Sequence, residues 1–314
     1  MIGAIFMIIW LQEPADMVGM HHRIVHQRTV RVHTPNATSQ RLKSLFFGKD
    51  SPLTVLPTAL TFVQSNRLAL ADTAHARVLL VDLQGTIRKE LFGSKSQPFL
   101  SPTGLCVDSR ERLWVADSQA HSLFIFSKRL RFQRIIPNPS ESRITGIAIV
   151  NDRVFAVDVQ NHRLLFLNLN GAIEKVVGGR GKAPGQFNFP THIAADSSRI
   201  AVVDAMNFRV QVFDQEGHWQ FMFGRNGNRS GDFSKPKGIA LDSAGRFYVL
   251  DAMFDNFQIF NSRGQFLTHV GMSGKGQGEF WMPSGVVIDS SGAIWVADTY
   301  NRRLQIFEVE EGQP

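Results

Sequence analysis

Short apolar runs separated by polar turns repeat along most of this chain. In one repeat, residues 239–241 follow a Pro-x-Gly start, a tight turn comes at 243–245, and a second apolar run, 247–250, ends in an aspartate. Runs rich in β-branched and aromatic residues, bounded by Gly, Ser and Asp, predict β-strands. The equivalent aspartates, at successive spacings of 45, 41, 46, 47 and 47 residues, are Asp72, Asp117, Asp158, Asp204, Asp251 and Asp298.

The same spacing predicts two further strands in each repeat. An apolar residue lies nine positions after every aspartate, and most repeats then reach an apolar-Gly pair such as Val270-Gly271, which the repeat containing residues 128–143 lacks. A four-stranded unit of this length is one sheet, which buries its faces only against copies of itself. Six such sheets closed radially predict an all-β fold, a six-bladed β-propeller of four-stranded antiparallel blades.

The last repeat stops after its third strand, so another segment has to complete it. Residues 41–48 have the pattern of a fourth strand, and Gly48 precedes Pro57 by nine residues, just as Gly93 precedes Pro102. We therefore expect residues 41–48 to pair with the C-terminal repeat and close the ring, which removes an exposed sheet edge. The predicted organisation is an N-terminal extension at 1–40 and one propeller at 41–314.

Composition agrees with a single well-packed domain. Hydrophobic residues make up 43% of the chain and charged residues 19%, which excludes a disordered protein. Cys106 is the only cysteine, so no disulfide forms within the chain. It stands where other repeats have alanine, which predicts a small buried core residue and not a reactive thiol.

The N-terminal sequence is compatible with more than one cellular location. Residues 2–11 form an apolar run of ten residues, too short to span a bilayer and long enough for the apolar part of an export signal. It is either the remnant of such a signal or an extension without targeting value. We favour an exported or cell-envelope location over the cytoplasm, and expect membrane association only through this segment. The nearby His21, His22, His26 and His33 lack the spacing of a known metal site, so a solvated segment is expected.

Residues 295–307, WVADTYNRRLQIF, resemble the NHL repeat, and so do residues 202–213. Residues 185–190, 231–236 and 278–283 are similar to the linker between blades in this family. The resemblance covers about residues 41–308 and implies the six-bladed propeller. It implies less about function, because this fold hosts binding, sensing and enzymatic proteins.

The Asp-x-x-Asn-x-Arg element of the repeat makes sense as turn chemistry. The aspartate can accept backbone N–H groups, the asparagine tolerates a left-handed backbone, and the arginine can reach back to the carboxylate. We therefore interpret all six aspartates as structural. Departures from the pattern, including Phe254 for the asparagine and Ser122 and Asn256 for the arginine, are expected to be drift in turns.

Departures at the start of the first strand are better functional candidates. His192 replaces a small residue of the other five repeats, and Lys237 is the only charge among hydroxyl residues at its position. The linkers add Arg180, Arg225 and Arg229, together with further lysines, on the face where blades connect. With a net charge of +7 and a pI near 9.8, these residues predict attraction of an anionic ligand.

The predicted function is a monomeric, non-enzymatic interaction or sensing scaffold that binds an anionic ligand or protein partner on this basic face. No metal or cofactor is expected. One alternative is a propeller enzyme: lactonase-like members hold calcium with carboxylates and amides at positions that carry Thr, Ser and Lys here, and amidating lyases use several histidines and disulfides. The other is a single-stranded RNA binder, since some NHL domains bind RNA on a basic face. Base-stacking aromatics are scarce in these linkers, with Trp281 the best candidate.

Overall fold

The computed structural model of the protein describes residues 22–34, 55–139 and 141–311. Within these ranges the chain forms six antiparallel four-stranded sheets, and in five of them the strand order follows the chain. The predicted all-β six-bladed propeller is confirmed. None of the helices in the described ranges is long and apolar enough to cross a membrane.

The strands alternate with short turns along the chain, and we number the blades I to VI. The first strand is β1 (His22–Val30), and blade I follows with β2 (Pro57–Gln64), β3 (Arg67–Asp72), β4 (Arg77–Asp82) and β5 (Ile87–Leu91). Blade II contains β6 (Pro102–Val107), β7 (Leu113–Asp117), β8 (Ser122–Phe126) and β9 (Phe132–Pro137). Blade III contains β10 (Ile144–Val150), β11 (Arg153–Asp158), β12 (Arg163–Leu167) and β13 (Ile173–Gly178).

Blades IV to VI continue the series. Blade IV contains β14 (Pro190–Ala195), β15 (Arg199–Asp204), β16 (Arg209–Asp214) and β17 (Trp219–Phe223). Blade V contains β18 (Pro236–Leu241), β19 (Phe247–Asp251), β20 (Asn256–Phe260) and β21 (Phe266–Val270). Blade VI contains β22 (Gly285–Ile288), β23 (Ile294–Asp298) and β24 (Arg303–Glu311), with β1 as its outer strand. Short 3₁₀ turns, Thr73–His75 and Ala205–Asn207, follow the aspartates of blades I and IV.

The ring closes through an N-terminal strand, but the predicted segment was wrong. The place beside β24 is taken by β1, in antiparallel register with Ile24 opposite Val309 and Val30 opposite Leu304. Residues 41–48 lie outside the described residues, and the range 1–40 assigned to an extension contains a blade strand. His26 packs edge-on against the ring of Phe307, at 5.4 Å between centroids, so His26 is not part of a solvated segment, whereas His33 is exposed.

The hydrophobic core lies between neighbouring blades. Trp114 of β7 and Ile125 of β8 pack against Val154 and Leu165 of blade III, and the contact between blades VI and I includes Trp295. Each sheet therefore buries both faces against its neighbours, as the repeat predicted. The repeat without an apolar-Gly pair still forms its fourth strand, β9, because Ile136 is buried in the same core.

Two faces of the ring differ in what they carry. We call linker face the side that holds the linkers between blades, the starts of the first strands and the turns that follow the six aspartates. We call opposite face the side that holds the turns between first and second strands and between third and fourth strands. Since antiparallel strands alternate in direction, this division is the same in all six blades.

Candidate functional site: the linker face

Each of the six repeat aspartates is fully buried and ties a linker to a turn. Asp204, for example, accepts hydrogen bonds from the backbone N–H of Asn188 at 2.6 Å, from Nδ2 of Asn207 at 2.8 Å and from Nε of Arg209 at 2.8 Å. Burial raises the pKa of Asp204, and the hydrogen bonds from these three residues act against that rise. In every blade the aspartate accepts an N–H of the linker before its own first strand, from Leu56, Leu100, Arg143, Asn188, Ser234 and Trp281.

In blades IV and VI the repeat arginine also clamps the linker. Arg303 pairs with Asp298 at 2.7 Å and donates to the carbonyl oxygens of Lys275, Gly276 and Glu279 at 2.6–2.8 Å. Arg209 makes the equivalent contacts with the linker before blade IV. Sequence reasoning found the pairing of arginine with aspartate and missed the carbonyls, because the linker approaches the turn only in the folded ring.

A glutamine two positions after the arginine position holds the same linkers. Gln305 accepts from the N–H of Gly278 at 2.9 Å and donates to the carbonyl of Glu279 at 2.6 Å, and Gln211 and Gln258 do the same in blades IV and V. The first three repeats carry Leu79, Phe124 and Leu165 at this position. This signal was readable in the sequence, since glutamine occurs at that position only in repeats with a Gly-x-Phe linker.

The clamped linkers bury their phenylalanines and direct their cations outward. Phe187, Phe233 and Phe280 have no exposed surface, which confirms them as packing residues. The exposed or half-buried cations of the three linkers and of the strand start after them are Arg180, Lys182, Arg225, Arg229, Lys235, Lys237 and Lys275. Among the residues that the structure describes, only Arg225 of this set has an ion-pair partner, Asp232 at 2.8 Å.

Exposed apolar side chains also lie on this face, and sequence reasoning had singled out only Trp281 among them. Trp281 and Tyr300 are 44% and 51% exposed, their ring centroids are 5.5 Å apart, and the ammonium of Lys275 lies 5.5 Å from the indole centroid. Met206 and Met253, each two residues after a repeat aspartate, are also exposed. Aromatic and methionine side chains of this kind are enriched in protein interfaces.

The central channel narrows at the linker face. A Cβ on Gly238 would lie 2.6 Å from the carbonyl oxygen of Ser284, and one on Gly285 would lie 2.9 Å from that of Thr58, so neighbouring first strands are in contact there. Beyond this ring the channel widens into a cavity of about 400 Å³ lined mostly by Leu, Ile, Val and Ala. Cys106 lies in this wall as a buried residue, and burial raises the pKa of its thiol well above the usual value.

His192 and Lys237 meet beside this narrow ring. His192 is half-buried, and its side chain lines the central channel. Its Nδ1 is buried and has no hydrogen-bond partner among the described residues. Desolvation, and secondarily the charge of Lys237, lower the pKa of His192 to about 3. Burial and the neighbouring Lys235 lower the pKa of Lys237. His192 is therefore neutral near pH 7 and contributes hydrogen-bonding capacity, but no positive charge, to this corner.

Comparisons with known proteins agree with this architecture. A family described as NHL repeat matches residues 99–126 and 280–307, and one described as 6-bladed beta-propeller matches residues 140–219. The chain carries NHL repeats. No curated protein matches it by sequence.

Several solved structures share the fold at low identity. A protein of unknown function from Bacteroides thetaiotaomicron is 14% identical, with a TM-score of 0.68 over 97% of this chain and 87% of its own. A gluconolactonase from Xanthomonas campestris is 13% identical, with a TM-score of 0.61 over 96% and 95%. A catalytically inactive virginiamycin B lyase from Staphylococcus aureus, solved with quinupristin, is 13% identical, with a TM-score of 0.60 over 92% and 88%. Likeness at this level concerns the fold alone.

The described residues offer little to a metal ion. Within 22–34, 55–139 and 141–311, no three His, Cys, Asp or Glu side chains converge in an arrangement that could hold one. The repeat aspartates are occupied by backbone N–H groups and arginines. The chemistry that the linker face does present is exposed positive charge beside apolar surface.

Proposed function

We propose that this NHL-repeat propeller is a non-enzymatic interaction scaffold that binds an anionic partner on its linker face. The observation that carries the proposal is the cluster of exposed linker cations beside exposed apolar side chains on this face. Arg180, Lys182, Arg229 and Lys275 are exposed and have no ion-pair partner in the described part of the chain. Arg225 pairs with Asp232 at 2.8 Å, but its side chain stays 72% exposed.

Unpaired cations on one face produce a directed electric field. Such a field steers oppositely charged partners and is screened within about 10 Å at 0.1 M salt. The exposed Trp281, Tyr300, Met206 and Met253 add apolar contact area between the charges. A partner that combines acidic and apolar side chains is complementary to both features.

The test compares charge reversals on the two faces. One variant carries Arg180→Glu, Arg225→Glu and Arg229→Glu, and the control carries Arg110→Glu, Arg129→Glu and Arg263→Glu in exposed turns of the opposite face. Each set changes the formal charge by −6, from +7 to +1. On immobilised poly-glutamate, the linker-face variant is expected to elute at clearly lower salt than the control. Equal elution of the two variants would mean that binding depends on net charge and would contradict the proposal.

A second candidate, single-stranded RNA binding, has one observation in its favour. The rings of Trp281 and Tyr300 lie together under the ammonium of Lys275, and aromatic side chains beside cations are what base stacking uses. RNA binding that persists at about 0.15 M salt, and that Trp281→Ala reduces far more than Phe132→Ala on the outer edge of blade II, would favour this candidate. Loss of RNA binding at that salt would leave the acidic partner as the better proposal.

A further inference from the structure

Blade V lacks two of the three side chains that hold the linker in blades IV and VI, and keeps only the glutamine. The asparagine position carries Phe254 and the arginine position carries Asn256. Beside them lies a cavity of about 330 Å³, whose lining includes Asn228, Ser230, Gln258 and His269. The cavity lies on the side of the turn where Arg209 of blade IV and Arg303 of blade VI place their guanidinium groups.

The linker backbone takes the same path in all three blades. Equivalent parallel bridges join Arg180 to Phe187, Asn226 to Phe233 and Ser273 to Phe280. The carbonyls of Asn228 and Arg229 therefore correspond to those of Lys275 and Gly276, which accept from Arg303 at 2.8 and 2.6 Å. The acceptors that surround a guanidinium in blade VI are all present in blade V.

Several of these acceptors lack their donor in blade V. No hydrogen bond from a described residue reaches the carbonyl of Asn228, and that of Arg229 receives only the N–H of Asp232 at 2.9 Å. Asp251 is fully buried, accepts only backbone N–H groups and has no ion-pair partner in the described chain. Oδ1 of Asn256 is buried and unpartnered. A buried carboxylate without a cation and a set of unfilled acceptors both favour a positively charged donor.

Blade II shows that another side chain of the chain can take the place of the lost arginine, although Asp117, like Asp251, pairs with no cation among the described residues. There Ser122 replaces the arginine, and Nε2 of Gln97 from the preceding linker donates to Ser122 Oγ at 3.2 Å and to the carbonyl of Ala120 at 3.3 Å. Among the described residues, no side chain of the blade V linker donates a hydrogen bond to Asn256 or to the carbonyls of Asn228 and Arg229. The vacancy in blade V is therefore a feature of that blade and not a general result of losing the arginine.

We propose that the blade V cavity binds a guanidinium group. The group would donate to the linker carbonyls and the Asn256 amide, stack on the ring of Phe254 and lie in the field of Asp251. His269 occupies the place of Met222, whose sulfur contacts Arg209 at 3.0 Å in blade IV, and an imidazole nitrogen can accept a hydrogen bond. Arg229 also lines the cavity and opposes a cation, so removing it should tighten this site.

The test uses methylguanidinium as the probe and methylammonium at equal ionic strength as the control. We expect methylguanidinium to raise the melting temperature of the wild-type protein by roughly 2 °C at saturation relative to methylammonium. Asn256→Arg, which supplies the missing group, should melt higher than wild type and lose this response. Arg303→Asn creates the matching vacancy in blade VI, and an NMR titration of this variant with methylguanidinium should show a second binding event. Equal responses of wild type and Asn256→Arg, or no response in wild type, would overturn the proposal.

Two further variants keep the test independent of Asn256→Arg. Phe254→Ala should weaken methylguanidinium binding at least threefold, and unchanged affinity would contradict the stacked geometry. Arg229→Ala should strengthen it while weakening binding to poly-glutamate, so failure of one proposal is distinguishable from failure of the other. If capped Gly-Arg-Gly binds more tightly than methylguanidinium, the guanidinium group that occupies the cavity comes from an arginine of a partner protein. If it binds more weakly, the group comes from a free small molecule.

Discussion

Blades V and VI hold linkers of the same shape with different side chains. In blade VI, Arg303 and Gln305 both donate to the carbonyl of Glu279, whereas in blade V only Gln258 reaches the equivalent carbonyl of Asp232. The buried phenylalanine and the glutamine are common to both blades, so they suffice to set the linker path. The arginine adds stability and occupies space, and its absence in blade V leaves a cavity without changing the fold.

The largest expected effect comes from removing the aspartate beside an arginine. Asp204→Ala would leave Arg209 buried without its carboxylate, which should lower the free energy of unfolding by about 3–5 kcal/mol. Asp251→Ala leaves no cation behind and loses only hydrogen bonds to backbone N–H groups, so about 1–3 kcal/mol is expected. Urea denaturation of both variants measures the difference. Equal losses would show that leaving Arg209 without its carboxylate carries no penalty beyond the lost hydrogen bonds.

Replacing the linker glutamine should cost more stability in blade V than in blade VI. Gln258→Leu removes the one side-chain donor that reaches the carbonyl of Asp232 among the described residues, and a loss of about 1–3 kcal/mol is expected. Both replacements leave a linker glycine N–H without its acceptor, but Gln305→Leu should cost about 1 kcal/mol less than Gln258→Leu, because Arg303 still donates to the carbonyl of Glu279. Leucine is a suitable replacement, since blades I and III carry it at this position. A larger loss for Gln305→Leu in the same urea titration would show that the two donors do not substitute for each other.

The effect that is smallest near pH 7 and grows as the pH falls compares His192 of blade IV with Gly238 of blade V. The pKa of His192 is about 3 when folded and near the ordinary 6.5 when unfolded, so the unfolded chain binds more protons between these values. Stability from the neutral imidazole is therefore complete above pH 6.5 and is lost as the pH falls towards 3. The melting temperature of wild type should fall more steeply over this range than that of His192→Gly. Parallel curves would show that water in the channel hydrates the imidazolium.

The sequence was sufficient for the ring but not for its closure. The aspartate spacing and the apolar residue nine positions later predicted six blades, because every copy buries the same residues against its neighbours. The closing strand was assigned to residues 41–48 because Gly48 precedes Pro57 by nine residues, the same spacing that separates Gly93 from Pro102. The structure uses β1 instead, where Ile24 and Val30 are buried, and strand pairing across the whole chain length leaves no local mark that distinguishes the two segments.

The candidate site was likewise predicted in part by the sequence and decided in part by the fold. Composition and linker position predicted that Arg180, Arg225 and Arg229 lie on one face, and the structure places all three there, exposed. His192 and Lys237 were expected to hold an anionic group together, and burial and that lysine keep the imidazole neutral near pH 7. Asn256 and Phe254 were interpreted as drift. Only the contacts of Arg209 and Arg303 in sister blades show that these two replacements open a cavity.

The sequence by itself determined the number of blades, the buried aspartates and phenylalanines, and the basic character of the linkers, since these depend on local patterns that recur from blade to blade. The tertiary structure alone decided which N-terminal segment closes the ring, which cations remain unpaired, which imidazole loses its charge and where a missing arginine leaves space. Each of these depends on distances between groups far apart in the chain, and hydration, pairing and packing are set by those distances.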